Sequence, residues 1–95
     1  MRLSFTAELW LWEGKASWHF VTVPKEDAEA LQDEAAQAPK GFGSVKVQAT
    51  IGTTTWSTSV FPDKASGSYV LPVKASVRKA NEVEAGDAVA VLLEF

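Results

Sequence analysis

Apolar and polar residues alternate with a period of two along most of this chain, and that pattern dictates sheet rather than helix. Leu3, Phe5, Ala7, Leu9 and Leu11 alternate with Ser4, Thr6, Glu8, Trp10 and Trp12. Successive side chains of a strand point to opposite faces, so the first set defines one buried face. Trp10 and Trp12 fall on the other face, which implies that this face is covered as well. Residues 16–23 set Trp18 and Phe20 opposite His19, Val21 and Val23, and Glu13-Gly14-Lys15 joins them to the first strand as a hairpin. Residues 44–51 place Val45, Val47, Ala49 and Ile51 inward and Lys46, Gln48 and Thr50 outward. After a Gly52-Thr53 turn, residues 54–61 set Trp56, Thr58 and Val60 against Ser57, Ser59 and Phe61.

Two stretches break the alternation. Pro24 has a fixed φ and no N–H, which suits the first turn of a helix. Glu26, Asp27 and Glu29 follow where the helix dipole favours negative charge. Ala28, Leu31, Ala35 and Ala38 then form a narrow apolar stripe, and Pro39-Lys40-Gly41 ends the helix. Further on, Pro62-Asp63-Lys64-Ala65-Ser66-Gly67 reads as a loop, Ser68 to Leu71 as a short strand and Pro72 as a break. Lys74 to Ala80 fits a short helix, Asn81 to Asp87 a loop, and Ala88 to Phe95 a final strand.

Two of these segments look alike. His19 to Lys25 leads into a helix, then Gly41-Phe42-Gly43 and Val45-Lys46-Val47. Ser68 to Lys74 leads into a helix, then Gly86-Asp87 and Val89-Ala90-Val91. Each reads strand, proline, helix, glycine, strand. Neither can close a sheet alone, whereas two together remove the exposed edges. The fold expected is mainly β: a small split β-barrel of about six strands, with one medium and one short helix and pseudo-two-fold strand–helix–strand halves.

At 95 residues the chain is read as a single domain, residues 1–95. The absence of cysteine excludes disulfides and thiolate metal sites. The alternating N-terminus reads as a strand rather than a secretion signal, no stretch approaches the roughly 20 apolar residues of a membrane span, and the expected compartment is the cytoplasm. A net charge of −3 argues against a protein that neutralises many phosphates. The charge is unevenly spread, however. Residues 25–38 carry one lysine against five acids, while residues 64–80 carry Lys64, Lys74, Arg78 and Lys79 with no acid.

From Gly41 onward a string of motifs falls in a recognisable order. It runs Gly41-Phe42-Gly43-Ser44-Val45, Ala49-Thr50-Ile51-Gly52, Trp56, and Thr58 to Lys64. It continues through Ser66-Gly67, Tyr69, Leu71-Pro72-Val73-Lys74, Val77-Arg78-Lys79-Ala80 and Gly86-Asp87. Phe5, Ala7, Leu9, Trp18, Val21, Val23 and Pro24 agree upstream. This pattern resembles a bacterial family of unknown function, number nineteen-oh-five, over nearly the whole chain. The resemblance implies a small split β-barrel found alone or beside a bacteriocin-protection-like module, and implies no activity.

The segment Leu71-Pro72, Lys74, Arg78-Lys79-Ala80, then Glu84-Ala85-Gly86-Asp87, Val89 and Val91 is also similar to the half-barrel of AbrB-like DNA-binding regulators. In those proteins the strand, basic helix and Gly-Asp turn repeat across a dimer. Here only the second half carries the basic residues.

No catalytic set stands out. His19 is the sole histidine and lacks a second ligand or orienting acid nearby in sequence. Ser57 and Ser59 lie on a strand, where cross-strand hydrogen bonding is the ordinary role. The Pro62–Gly67 loop could gather backbone N–H groups, the Ser66 hydroxyl and the Lys64 ammonium around an anion, or be a plain hairpin loop. Lys74 and Arg78 are four apart and share a helix face; with Lys46 and Lys64 they could form a cationic rim. The four tryptophans could line a pocket or build the core.

The expected function is therefore a non-enzymatic accessory module binding an anionic small molecule or an acidic protein surface. No cofactor, metal or membrane is implied. The candidate ligand surface is Trp56, Lys64, Ser66, Tyr69, Lys74 and Arg78. The alternatives are DNA binding through the basic helix, and a small-molecule carrier or enzyme.

Overall fold

A computed structural model describes residues 1–14, 17–37 and 43–95. The elements in chain order are β1 (Arg2–Leu11), β2 (His19–Thr22), α1 (Lys25–Ala36), β3 (Val45–Ile51), β4 (Thr54–Asp63), β5 (Ser68–Pro72), α2 (Ala75–Ala80) and β6 (Ala88–Glu94). The expected helix terminus at Pro39-Lys40-Gly41, and Ala38 of its stripe, lie outside the described residues. Among the described residues no helix is long and apolar enough to cross a membrane.

The six strands close into one barrel in the order β1-β2-β5-β4-β3-β6, with every neighbouring pair antiparallel. The mainly-β barrel with one medium and one short helix is thus observed. Exchanging β1 with β4, β2 with β5 and β3 with β6 maps the ring onto itself, so the pseudo-two-fold is a property of the topology. Its register is visible in hydrogen bonds. The Val23 N–H donates to the Tyr69 carbonyl at 2.9 Å, and the Val73 N–H to the His19 carbonyl at 2.9 Å. Residues 19–23 therefore correspond to 69–73, and Val21 pairs with its own counterpart Leu71.

That register corrects the alignment expected from the two prolines. Pro24 caps α1 with φ −56° and ψ 144°, and its structural counterpart is Lys74, which caps α2 with φ −72° and ψ 160°. Pro72 is not a break. It is the last residue of β5, paired with Phe20, at a strand end where a missing N–H costs little. Likewise Pro62 and Asp63, expected in a loop, extend β4 against Tyr69 and Ser68.

The interior is aliphatic. Leu9, Val21, Leu31, Val60, Leu71 and Leu93 are fully sealed or nearly so, with Val47, Ala49, Ile51, Val77, Val89 and Val91 around them. The period of two placed Leu9, Val45, Val47, Ala49 and Ile51 inward, as observed, and the stripe on α1 does bury Ala28 and Leu31 against the barrel. Two expectations change at the rim. Leu11 continues the inward parity but is 42% exposed, because it lies at the end of β1. None of the four tryptophans is fully buried: Trp56 is half-buried and packs against the core, Trp10 is half-buried, and Trp12 and Trp18 are about half exposed at 51% and 49%. The outer face of the β1–β2 hairpin is consequently not covered.

One side chain latches α2 to the barrel. Asn81, at the C-terminus of α2, accepts from the Thr53 N–H at 3.2 Å through Oδ1. Its Nδ2 donates to Thr54 Oγ1 at 3.0 Å and to the Val77 carbonyl at 2.9 Å. Gly52 opens the tight β3–β4 turn at φ +58°, a conformation open to glycine at little cost.

Candidate functional site

Strand parity determines which aromatic rings meet. On the β1–β2 hairpin Trp10 pairs with Phe20, and the Trp12 N–H donates to the Trp18 carbonyl at 2.8 Å, which continues the same register beyond the strands. All four rings therefore project from the outer face. Trp10 and Phe20 lie 5.2 Å apart between centroids with planes at 37°, and Trp18 stacks on Phe20 at 6.0 Å and 12°. The Trp10 indole N–H donates to Thr22 Oγ1 at 2.9 Å, which ties that ring to the sheet. The Trp12 ring folds over Gly14, where a Cβ would collide with it.

Across the ring of strands, Phe61 is the counterpart of Trp10: Trp10 pairs with Phe20, and Phe61 with Val70. Phe61 is 44% exposed on the same wall. Together these residues line a concavity of about 370 Å³, closed by Val70 and Pro72, with Asp63 the one charged lining side chain among the described residues. Solvent-facing aromatic area of this extent is unusual for residues without a partner.

A second concavity of about 480 Å³ adjoins the first and shares Trp18, Phe61 and Pro72 with it. Its other walls include Trp56 from β4, His19 from β2, Lys74 from the N-cap of α2 and Arg78 from its last turn. No acid among the described residues lines it. Arg78 is fixed here. Its Nε donates to the Val73 carbonyl at 3.3 Å, and its Nη1 reaches His19 Nε2 at 3.4 Å. The contact also settles the tautomer. His19 Nδ1 lies 3.0 Å from the Ser17 carbonyl and must carry the proton to bond it. Nε2 is then the acceptor for the guanidinium. That leaves Nη2 and the second N–H of Nη1, on a side chain that lines the cleft.

The candidate residues from the sequence divide between two places. Trp56, Lys74 and Arg78 converge in this second concavity. Lys64 and Ser66 sit in the turn after β4, whose donors are used internally. The Ser66 N–H donates to Asp63 Oδ2 at 3.1 Å, the Gly67 N–H to the Asp63 carbonyl at 3.0 Å, and the Ser68 N–H to Ser66 Oγ at 3.2 Å. The Asp63 carboxylate takes the position that an external anion would need. Tyr69 is only 5% exposed, part of the core, and burial pushes its phenol above the ordinary value of 10.0. Lys46 lines a third hollow with Gln48 and Glu94 rather than joining the rim.

Residues missing from the sequence-derived set are Trp12, Trp18, His19 and Phe61. Parity alone places Trp10, Trp12, Trp18 and Phe20 on one outer face, so most of the aromatic wall had a signal. The His19–Arg78 contact spans 59 positions and had none.

Among the described residues no three His, Asp or Glu side chains gather as metal ligands. No curated protein matches the chain. The family model described as a domain of unknown function, DUF1905, matches residues 5–93, nearly the whole length, and takes in β2 to β5, both helices and most of β1 and β6. The chain belongs to that family.

Proposed function

We propose that this chain is a binding module whose ligand is a small anion with an apolar body. The anion sits on Arg78 and Lys74, and the apolar part lies against Trp18, Trp56 and Phe61. The observation that supports this reading is the fixed Arg78 guanidinium in a ring-walled cleft whose described lining holds no acid. A guanidinium offers a planar fork matched to carboxylate or phosphate, and it gains strength where water is partly excluded. Binding without turnover is favoured by His19, the cleft's one candidate base, because both its ring nitrogens are engaged.

The DNA-binding alternative has less support. α2 is basic, but its pseudo-symmetric partner α1 exposes Glu26, Glu29, Asp33 and Glu34, so a two-fold basic surface is missing. A low-salt gel shift with random duplex is expected to show no retarded band.

Benzoate and its neutral counterpart benzamide test the main reading. Benzoate should quench tryptophan emission saturably and raise the melting temperature, since a ligand that binds only the folded state stabilises it. Benzamide should do neither at equal concentration, and Arg78→Gln should abolish the benzoate response. Equal responses to the two compounds would defeat the proposal.

A further inference from the structure

The two adjoining concavities differ in charge, and the difference specifies a ligand. One is walled by cations. The other is lined by aromatic side chains and, among the described residues, by one carboxylate, that of Asp63. An aromatic face carries negative potential, and several faces around one space attract a cation too large and too weakly hydrated to prefer water. A quaternary ammonium group has that character. It offers no N–H, so it needs no hydrogen-bond acceptor from the walls, and those walls consist almost wholly of ring and aliphatic carbon.

We propose that the Trp10–Trp12–Trp18–Phe20–Phe61 concavity is a quaternary-ammonium site, and that the whole surface holds a zwitterion. The trimethylammonium end sits among the rings beside Asp63, and the carboxylate or phosphate end reaches Arg78 and Lys74 across the shared Trp18, Phe61 and Pro72. The ligand chemistry is that of phosphocholine or a betaine. This deepens the binding reading above and rests on it for the anionic end only; the ammonium end stands on the aromatic wall and Asp63.

Isothermal titration with choline and with 3,3-dimethylbutan-1-ol, its neutral isostere, tests the ammonium end alone. Choline is expected to bind about tenfold more tightly, the scale of one desolvated cation–π contact. Trp12→Leu, which keeps apolar bulk but removes the ring face, and Asp63→Asn, which keeps an acceptor for the Ser66 N–H, should each weaken choline several-fold without changing the melting temperature. Arg78→Gln should leave choline unchanged and lower phosphocholine affinity to that of choline.

Equal affinity for choline and the isostere overturns the ammonium site, even where benzoate binds. Choline binding with no gain for phosphocholine, and no effect of Arg78→Gln, overturns the zwitterion through its anionic end and leaves the ammonium site standing. Sedimentation with phosphatidylcholine but not phosphatidylglycerol vesicles assigns the source as a lipid headgroup. Binding of soluble phosphocholine without sedimentation assigns a free metabolite.

Discussion

Val21 and Leu71 face each other across the β2–β5 ladder, each sealed completely from solvent, and each is the other's counterpart in the two halves of the barrel. Every strand on this wall takes its register from that pair. Leu71→Ala should therefore cost about 2–5 kcal/mol, the range for deleting a buried leucine into a packed core. For a chain of this size each kcal/mol lowers the melting temperature by about 4–8 °C. Glu29→Ala, on the exposed side of α1, should stay within about 0.5 kcal/mol. Urea melts that place the two variants together would contradict this account of the core.

The Asn81 latch predicts a coupling between two distant positions. Asn81→Ala removes three hydrogen bonds and should cost about 1–3 kcal/mol. Gly52→Ala should also destabilise, because its φ of +58° strains any Cβ and because that Cβ would collide with Asn81 Oδ1. In the double variant the collision is relieved and only the strain remains. The two costs should add to more than the measured total, and a strictly additive cycle would show that the two residues do not touch.

Fluorescence quenching should separate the two exposed indoles by local charge. Trp18 borders both concavities, next to Lys74 and Arg78, while Trp12 borders only the one edged by Asp63. Replacing Trp18 with Phe should remove more of the iodide-quenchable emission than of the caesium-quenchable emission. Trp12→Phe should do the reverse. Both differences should fade at high salt, where such fields are screened. Identical losses for the two quenchers would mean that the concavities do not differ in potential.

Tyr69 is the single tyrosine, so its titration can be read from phenolate absorbance without ambiguity. Burial disfavours the charged phenolate and raises the folded-state midpoint above 10.0. The stabilisation linked to this shift is complete below the unfolded midpoint and is lost as pH rises through the folded one. Stability should therefore decline above pH 10 more steeply in the parent than in Tyr69→Phe. A folded midpoint at or below that of the urea-unfolded chain would place the phenol in water.

Much of the barrel was legible because burial on a strand obeys strict parity. Val45, Val47, Ala49 and Ile51 were assigned inward from alternation alone, and all four are buried. Parity says nothing about where a wall ends, which is why Leu11 was counted inside. Nor does it say whether another element lies over the outer face, so Trp10 and Trp12 were expected beneath cover. Pro62 and Pro72 were read as interruptions because proline usually stops a ladder, yet both fall at strand ends where their missing donor is tolerated. The cleft was half legible. Lys74 and Arg78 share a helix by spacing, but their meeting with His19 and Trp56 depends on barrel closure, which brings β2, β4 and α2 together from three separate regions of the chain.

The correspondence of Trp10 with Phe61, and of Phe20 with Val70, carries a consequence for direction. The backbone repeats itself by half a turn, but its decoration does not: Trp10 and its ring neighbour Phe20 stand on one side of the axis where Phe61 and the aliphatic Val70 stand on the other. A molecule lying across the axis meets unlike neighbours at its two ends. The frame alone would admit either orientation, whereas unlike side chains would not, so the ligand proposed above is expected to lie across the axis in a single sense.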